Sequence, residues 1–189
     1  MIILPGSKNV ISDLTSLKTY GWDKQIAKHL RYGGKVIGIC GGYQMLGRRI
    51  EDPDQLEGDV QCAEGLGFLD ASSVIEKEKI LTEKEGEISL DGTSVKVRGY
   101  EIHMGQTQTN GTSVIRAHDE SDGLVNDDNN VFGTYWHGLF DCPEASKLIL
   151  RWAGLHSDQC VDVQAERERS INALADALES SINLKLIWK

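Results

Sequence analysis

The chain has 189 residues, of which 40% are hydrophobic and 26% charged, enough for one domain with a sizeable core and ordinary for a soluble globular protein. A formal net charge of −9 leaves no basic excess to neutralise phosphates, which argues against nucleic acid as a partner. Three prolines argue against a disordered linker, and the four cysteines (Cys40, Cys62, Cys142, Cys160) lack metal-type spacing.

In chain order, Ile2-Ile3-Leu4 predicts the end of a buried strand and Pro5-Gly6-Ser7-Lys8 the turn after it. No segment reads as a secretory leader or a membrane span, so the thiols are expected to be reduced and the location cytoplasmic, with no membrane partner. Residues 9–20 and 23–32 predict two short helices, the second stopped by Gly33-Gly34. Residues 35–39 predict a strand, and a helix follows to about Arg49. Residues 51–67 are polar and glycine-rich and read as loop. From Phe68 to Ile115 the pattern turns β, in runs at 73–75, 87–90, 94–97, 99–104 and 113–115, with Asp91-Gly92 as a hairpin signal. Residues 117–130 are acidic and turn-rich. Val131 to Tyr135 is a strongly apolar strand ending at Trp136-His137-Gly138. Pro143 opens a helix to about Ala153, and Ile171, Leu174, Ala175, Leu178 and Ile182 form a helical stripe in the last segment. The expected fold class is α/β, a mostly parallel sheet flanked by helices with a small antiparallel section in the middle.

The stretch that organises the rest is Lys35 to Gly47. An apolar strand meets Cys40-Gly41-Gly42 and turns into a helix, the pattern of a nucleophile elbow. Small neighbours let substrate and backbone approach the side chain, and a helix N-terminus beneath Cys40 favours its thiolate. The plain alternative is a buried cysteine at a strand end; Gly38, Gly41 and Gly42 weigh toward chemistry.

A cysteine nucleophile needs a base, and there are five histidines. His29 lies near a helix C-terminus, where a dipole contact explains it. His156 and His118 lie in polar surroundings, although His118-Asp119-Glu120 carries an acid close by. His137 ends an apolar strand, as Cys40 does, and functional groups in open α/β sheets gather at the carboxyl ends of strands. His103, in Gly99-Tyr100-Glu101-Ile102-His103-Met104-Gly105, either lines a pocket or interface or is a satisfied structural histidine.

With Cys40 and His137 placed, the chain resembles class I (triad-type) glutamine amidotransferase domains, and more narrowly the C-terminal glutaminase domains of cobyric acid synthases. The segments that carry the resemblance are Leu4 to Lys8, Gly38 to Gly47, Glu64 to Asp70, Gly99 to Gly105, Gly133 to Asp141 and Ala173 to Asp176, so it extends over essentially all of residues 1–189. It implies a flavodoxin-like sheet, a nucleophile at Cys40 and a base at His137. It also implies an oxyanion site between the N–H groups of Gly6 and Gly41, and Gln44 near bound glutamine. Tyr100 and Glu101 join His103 as candidate pocket or interface residues, and no metal or cofactor is implied in this domain. The broad class carries a glutamate two residues after the histidine; here that residue is Leu139, so a backbone carbonyl, Glu101 or a water is left to orient His137.

The reaction implied is hydrolysis of glutamine to supply ammonia to an ATP- and Mg²⁺-dependent synthetase domain that amidates adenosylcobyrinic acid a,c-diamide on the route to cobalamin. That synthetase domain is absent from the chain, and the glutaminase domain is expected to be incomplete at its N-terminus. Two further readings stand beside this one: the glutaminase subunit of a lipid II amidating complex, and a truncated remnant that binds without turnover.

Overall fold

The computed structural model describes residues 1–118, 120–155 and 162–182. Strand β1 (Ile2–Leu4) leads into helix α1 (Val10–Thr19), whose N-terminus is capped by the Asn9 side chain accepting from Ser12 N at 3.1 Å. Gly21, at φ 74°, separates α1 from α2 (Trp22–Arg31). Strand β2 (Val36–Ile39) and helix α3 (Gly41–Leu46) follow, with Cys40 between them. The short strands β3 (Arg49–Glu51) and β4 (Cys62–Glu64) precede two long ones, β5 (Ala71–Leu90) and β6 (Thr93–Thr109). Then come β7 (Ile115–Ala117), β8 (Ser121–Asp122), β9 (Leu124–Val125), β10 (Val131–Thr134) and β11 (Trp136–His137). Helices α4 (Pro143–Trp152) and α5 (Val163–Ser181) close the described chain.

Two sheets result. The first runs β1-β2-β10-β9, with β2 parallel to both β1 and β10. The second runs β11-β6-β5-β3-β4, with β7 and β8 appended. Alternation along β2 and β10 divides the core. Val36 and Val131 face the cluster under α1, α2 and α3, whereas Ile37 and Phe132 face the cluster under α4 with Leu148, Ile149 and Trp152.

The α/β class and the helices at 9–20, 23–32 and 143–153 agree with the sequence to within a residue or two. The antiparallel section is longer than its sequence signals. The runs at 73–75 and 87–90 belong to one strand of 20 residues, because Glu76-Lys77-Glu78-Lys79 continues it without any apolar alternation. Asp91 and Gly92, at φ 49° and 71°, make the two-residue turn to β6. Residues 51–67 are not wholly loop, since β3 and β4 pair across them. The elbow helix stops at Leu46 rather than Arg49, because Arg48 N turns to bond Ala71 O and Arg49 enters β3. The stripe on α5 is helical as its period demands, yet Ile171 and Leu174 remain 53% and 63% exposed among the described residues.

Ile37, fully buried on the central strand, tests this division of the core. Ile37→Ala is expected to lower unfolding stability by about 2–5 kcal/mol, read as a shift of the urea midpoint with an unchanged slope.

Candidate active site

Three parallel strands end together and deliver the site. Leu4 pairs with Gly38, Gly133 also pairs with Gly38, and Thr134 pairs with Ile39. The residues just beyond these ends are therefore neighbours: Gly6 after β1, Cys40 after β2, and Tyr135 to His137 after β10. The Cys40 N–H donates to Thr134 O at 2.9 Å, and Gln44 N donates to Cys40 O at 3.1 Å to begin α3.

Cys40 sits at φ 54° and ψ −113°, a strained backbone for a residue with a side chain and the conformation that a nucleophile elbow requires. The glycines beside it are steric necessities. A Cβ on Gly42 would lie 2.0 Å from Leu4 O, and one on Gly41 would lie 2.8 Å from Ser7 N. The turn after β1 is thus pressed directly onto the elbow. A Cβ on Gly6 would meet His137 Cε1 at 3.5 Å and Cys40 Sγ at 4.0 Å, so the imidazole and the thiol both approach one glycine.

Cys40, His137, Gly6, Gln44 and His103 all line one cavity of about 640 Å³. Gln44 is buried; its Nε2 donates to Tyr135 OH at 3.0 Å and to Met104 O at 3.5 Å. His103 stacks on Tyr135 with centroids 3.7 Å apart, and its Nδ1 donates to Gly105 O at 3.1 Å. Glu101 does not orient His137. It is buried against Lys84 Nζ at 3.2 Å and His103 Nε2 at 3.6 Å. Burial alone would raise its carboxyl, but the bonds from His103 and Lys84 outweigh that and bring it below the usual range.

His137 is held instead by Tyr100, whose ring stacks on it at 5.1 Å and 11°. The β11–β6 pairing places Tyr100 opposite it. Its Nε2 is buried without a hydrogen-bond partner among the described residues. Asp122 Oδ2 fixes the approach to this histidine by accepting from Thr134 Oγ1 and, at 3.0 Å, from Tyr135 N.

The helix end favours the Cys40 thiolate as expected, through Gly41 N–H, but burial is the larger effect. Burial pushes the thiol up, outweighing the hydrogen bond from Gly41 N–H that pulls it down, and the nearby Glu57 carboxylate raises it further. The thiol donates to Ile102 O at 3.5 Å. Burial also pushes the His137 imidazole down. At neutral pH both directions favour a neutral thiol beside a neutral imidazole.

The remaining histidines lie elsewhere. His29 Nε2 bonds Lys35 O at 3.2 Å, a structural contact at the end of α2. His118 is exposed just beyond β7, and His156 lies outside the described residues. Lys8, Leu56, Glu57, Lys79 and Met104 also line the cavity and were not singled out from the sequence. The usable signal was Asp52-Pro53: buried Asp52 accepts from Leu56 N at 2.8 Å and Glu57 N at 2.9 Å, closing a turn that carries both residues to the cavity.

Residues 1–145 match the model of the CobB/CobQ-like glutamine amidotransferase domain. The chain belongs to this family. It is 49% identical over 201 residues to the cobyric acid synthase of Shewanella oneidensis, covering 97% of this chain and 39% of that one. It is 50% identical over 192 residues to the cobyric acid synthase of Photobacterium profundum, covering 100% and 39%. The chain therefore spans 39% of the length of these curated relatives. A crystal structure of a glutamine amidotransferase superposes with a TM-score of 0.58 at 18% identity, covering 81% of this chain and 78% of that one, which supports the shared fold. No described helix is long and apolar enough to cross a membrane.

The protonation of the amidotransferase site is directly measurable. Alkylation of Cys40 by iodoacetamide follows the thiolate fraction, so in the ligand-free protein its rate is expected to reach half-maximum above the ordinary thiol range of about 8.5. A midpoint below that value would contradict the burial argument.

Proposed function

We propose that the chain is the glutamine-hydrolysing part of a cobyric acid synthase. The observation that carries this reading is the approach of Cys40 and His137 to the same glycine, Gly6, in one cavity. The sulfur attacks the side-chain carboxamide carbon of glutamine while His137 takes the thiol proton. A neutral thiol beside a neutral imidazole suits a transfer that occurs as the bond forms rather than beforehand. The tetrahedral oxyanion falls to the N–H groups of Gly41 and Gly6, where each lost donor costs roughly 2.7–4 kcal/mol. His137 protonates the departing ammonia and then draws a proton from the water that hydrolyses the thioester. Tyr100 keeps the imidazole in plane during these transfers, in place of the carboxylate that Leu139 cannot supply.

The ammonia is passed to an ATP- and Mg²⁺-dependent synthetase partner, which amidates carboxylates of adenosylcobyrinic acid a,c-diamide in the cytoplasm. This step rests on the cobyric acid synthases to which the chain is similar and whose length it spans in part.

Glutamate release from glutamine is the test. Cys40→Ser is expected to bring it below detection, and His137→Ala to lower kcat by roughly 10²–10⁴-fold. Turnover that survives Cys40→Ser would end the proposal, and ammonia reaching a corrinoid only when an ATP-dependent partner is added would extend it.

A further inference from the structure

Helix α5 is long and open to solvent. Every described residue from Ala165 to Ile182 is exposed, although Ile171, Leu174, Leu178 and Ile182 recur on one face. Those four side chains are 53%, 63%, 46% and 39% exposed. A surface helix ordinarily buries such a stripe, and most helical stability in proteins comes from that burial rather than from propensity.

Three observations bear on what covers this face. First, the amidotransferase domain match ends at residue 145, but similarity to the Photobacterium profundum cobyric acid synthase takes in 100% of the chain, α5 included. The helix is thus shared with a synthase beyond the matched domain, and the chain spans 39% of that synthase, so most of it lies elsewhere. Second, α5 meets the 3₁₀ turn Leu139–Asp141, which begins two residues after His137. Its Arg167 shares a pocket of about 800 Å³ with Tyr100, Gly138 and Asp141, on the flank of the ring that stacks on His137. A partner docked on α5 therefore lies beside the site whose ammonia it takes. Third, charge opposes a second copy. The chain carries −9, and α5 sets Glu166, Glu168, Asp176 and Glu179 against Arg167 and Arg169.

We propose that the apolar face of α5 is the docking surface for the synthetase portion of a cobyric acid synthase, which covers Ile171, Leu174, Leu178 and Ile182 with an apolar face of its own. The proposal rests on the synthase reading above and adds to it the surface that joins the two activities.

The test uses a full-length protein, the Photobacterium profundum synthase with its matched region exchanged for residues 1–189. Amide hydrogen exchange over residues 163–181 is compared between this chimera and the 189-residue chain. It is expected to be at least roughly tenfold slower in the chimera, because a docked helix opens less often than a bare one. L174E puts a charge into the apolar contact and is expected to return exchange in the chimera to the rate of the 189-residue chain. Since Leu174 is exposed, L174E is expected to leave the urea midpoint and the glutamate release of the 189-residue chain unchanged. With p-benzoyl-L-phenylalanine in place of Leu174, irradiation of the chimera is expected to join α5 to the synthetase portion of the same molecule. The same probe in place of Asn172, on the opposite face, is expected to give no such product.

Equal exchange in the two proteins overturns the inference, as does slow exchange that L174E leaves unchanged. Protection of the 189-residue chain that rises with its concentration, or crosslinks between copies, assigns the face to a second copy and overturns it too. The segment matching α5 in the unaltered Photobacterium profundum synthase is expected to be protected likewise, and fast exchange there is equally fatal. Glutamate release by the 189-residue chain decides the glutaminase reading separately: its presence beside an unprotected α5 removes this inference alone.

Discussion

The contact between Leu4 O and the bare α-carbon of Gly42 is the constraint on which the site depends. A Cβ at residue 42 would lie 2.0 Å from that oxygen, so β1 and the first turn of α3 can approach this closely only without a side chain. The approach brings the turn at Gly6 down onto Cys40 and His137. Parallel pairing does the rest: because β1, β2 and β10 end in register, three separate stretches of sequence reach the cavity at one level. The chemistry is thus a by-product of strand register, and hydrogen bonds remote from the thiol govern its geometry.

Leu139, two residues after His137, leaves the histidine to be held by other contacts. Leu139 is buried in the cluster under α4, while Glu101, two residues from His103, is committed to that histidine and to Lys84. Ring stacking by Tyr100 replaces a hydrogen bond with a planar contact. Stacking fixes the plane of an imidazole but leaves its two nitrogens equivalent, so the tautomer is set by whatever meets the unpartnered Nε2, including the thiol proton and the departing amine.

Legibility from sequence followed the strength of local signals. The elbow was readable because an apolar strand, a cysteine and two glycines are adjacent in the chain, and His137 because it closes a second apolar strand. Glu57 was legible only through the turn signal at Asp52-Pro53. It lies in a polar stretch with no periodicity, and its position comes from Asp52 and from Asn9, nearly fifty residues upstream. The full length of β5 was hidden because its charged middle has no alternating apolar face to betray a strand. The stripe on α5 gave the helix correctly but said nothing about burial, since period reports a face and not what covers it.

The thiol held to Ile102 O has a consequence of another kind. Peroxides and other oxidants attack thiolates, and a buried, protonated sulfur is a poor target. The Cys40 sulfur is therefore sheltered from oxidative loss, while Cys62 lies exposed on β4 at the margin of the second sheet. On the proposed reading, the burial that keeps this sulfur protonated also prolongs its chemical life, to the gain of an enzyme that meets its substrate intermittently.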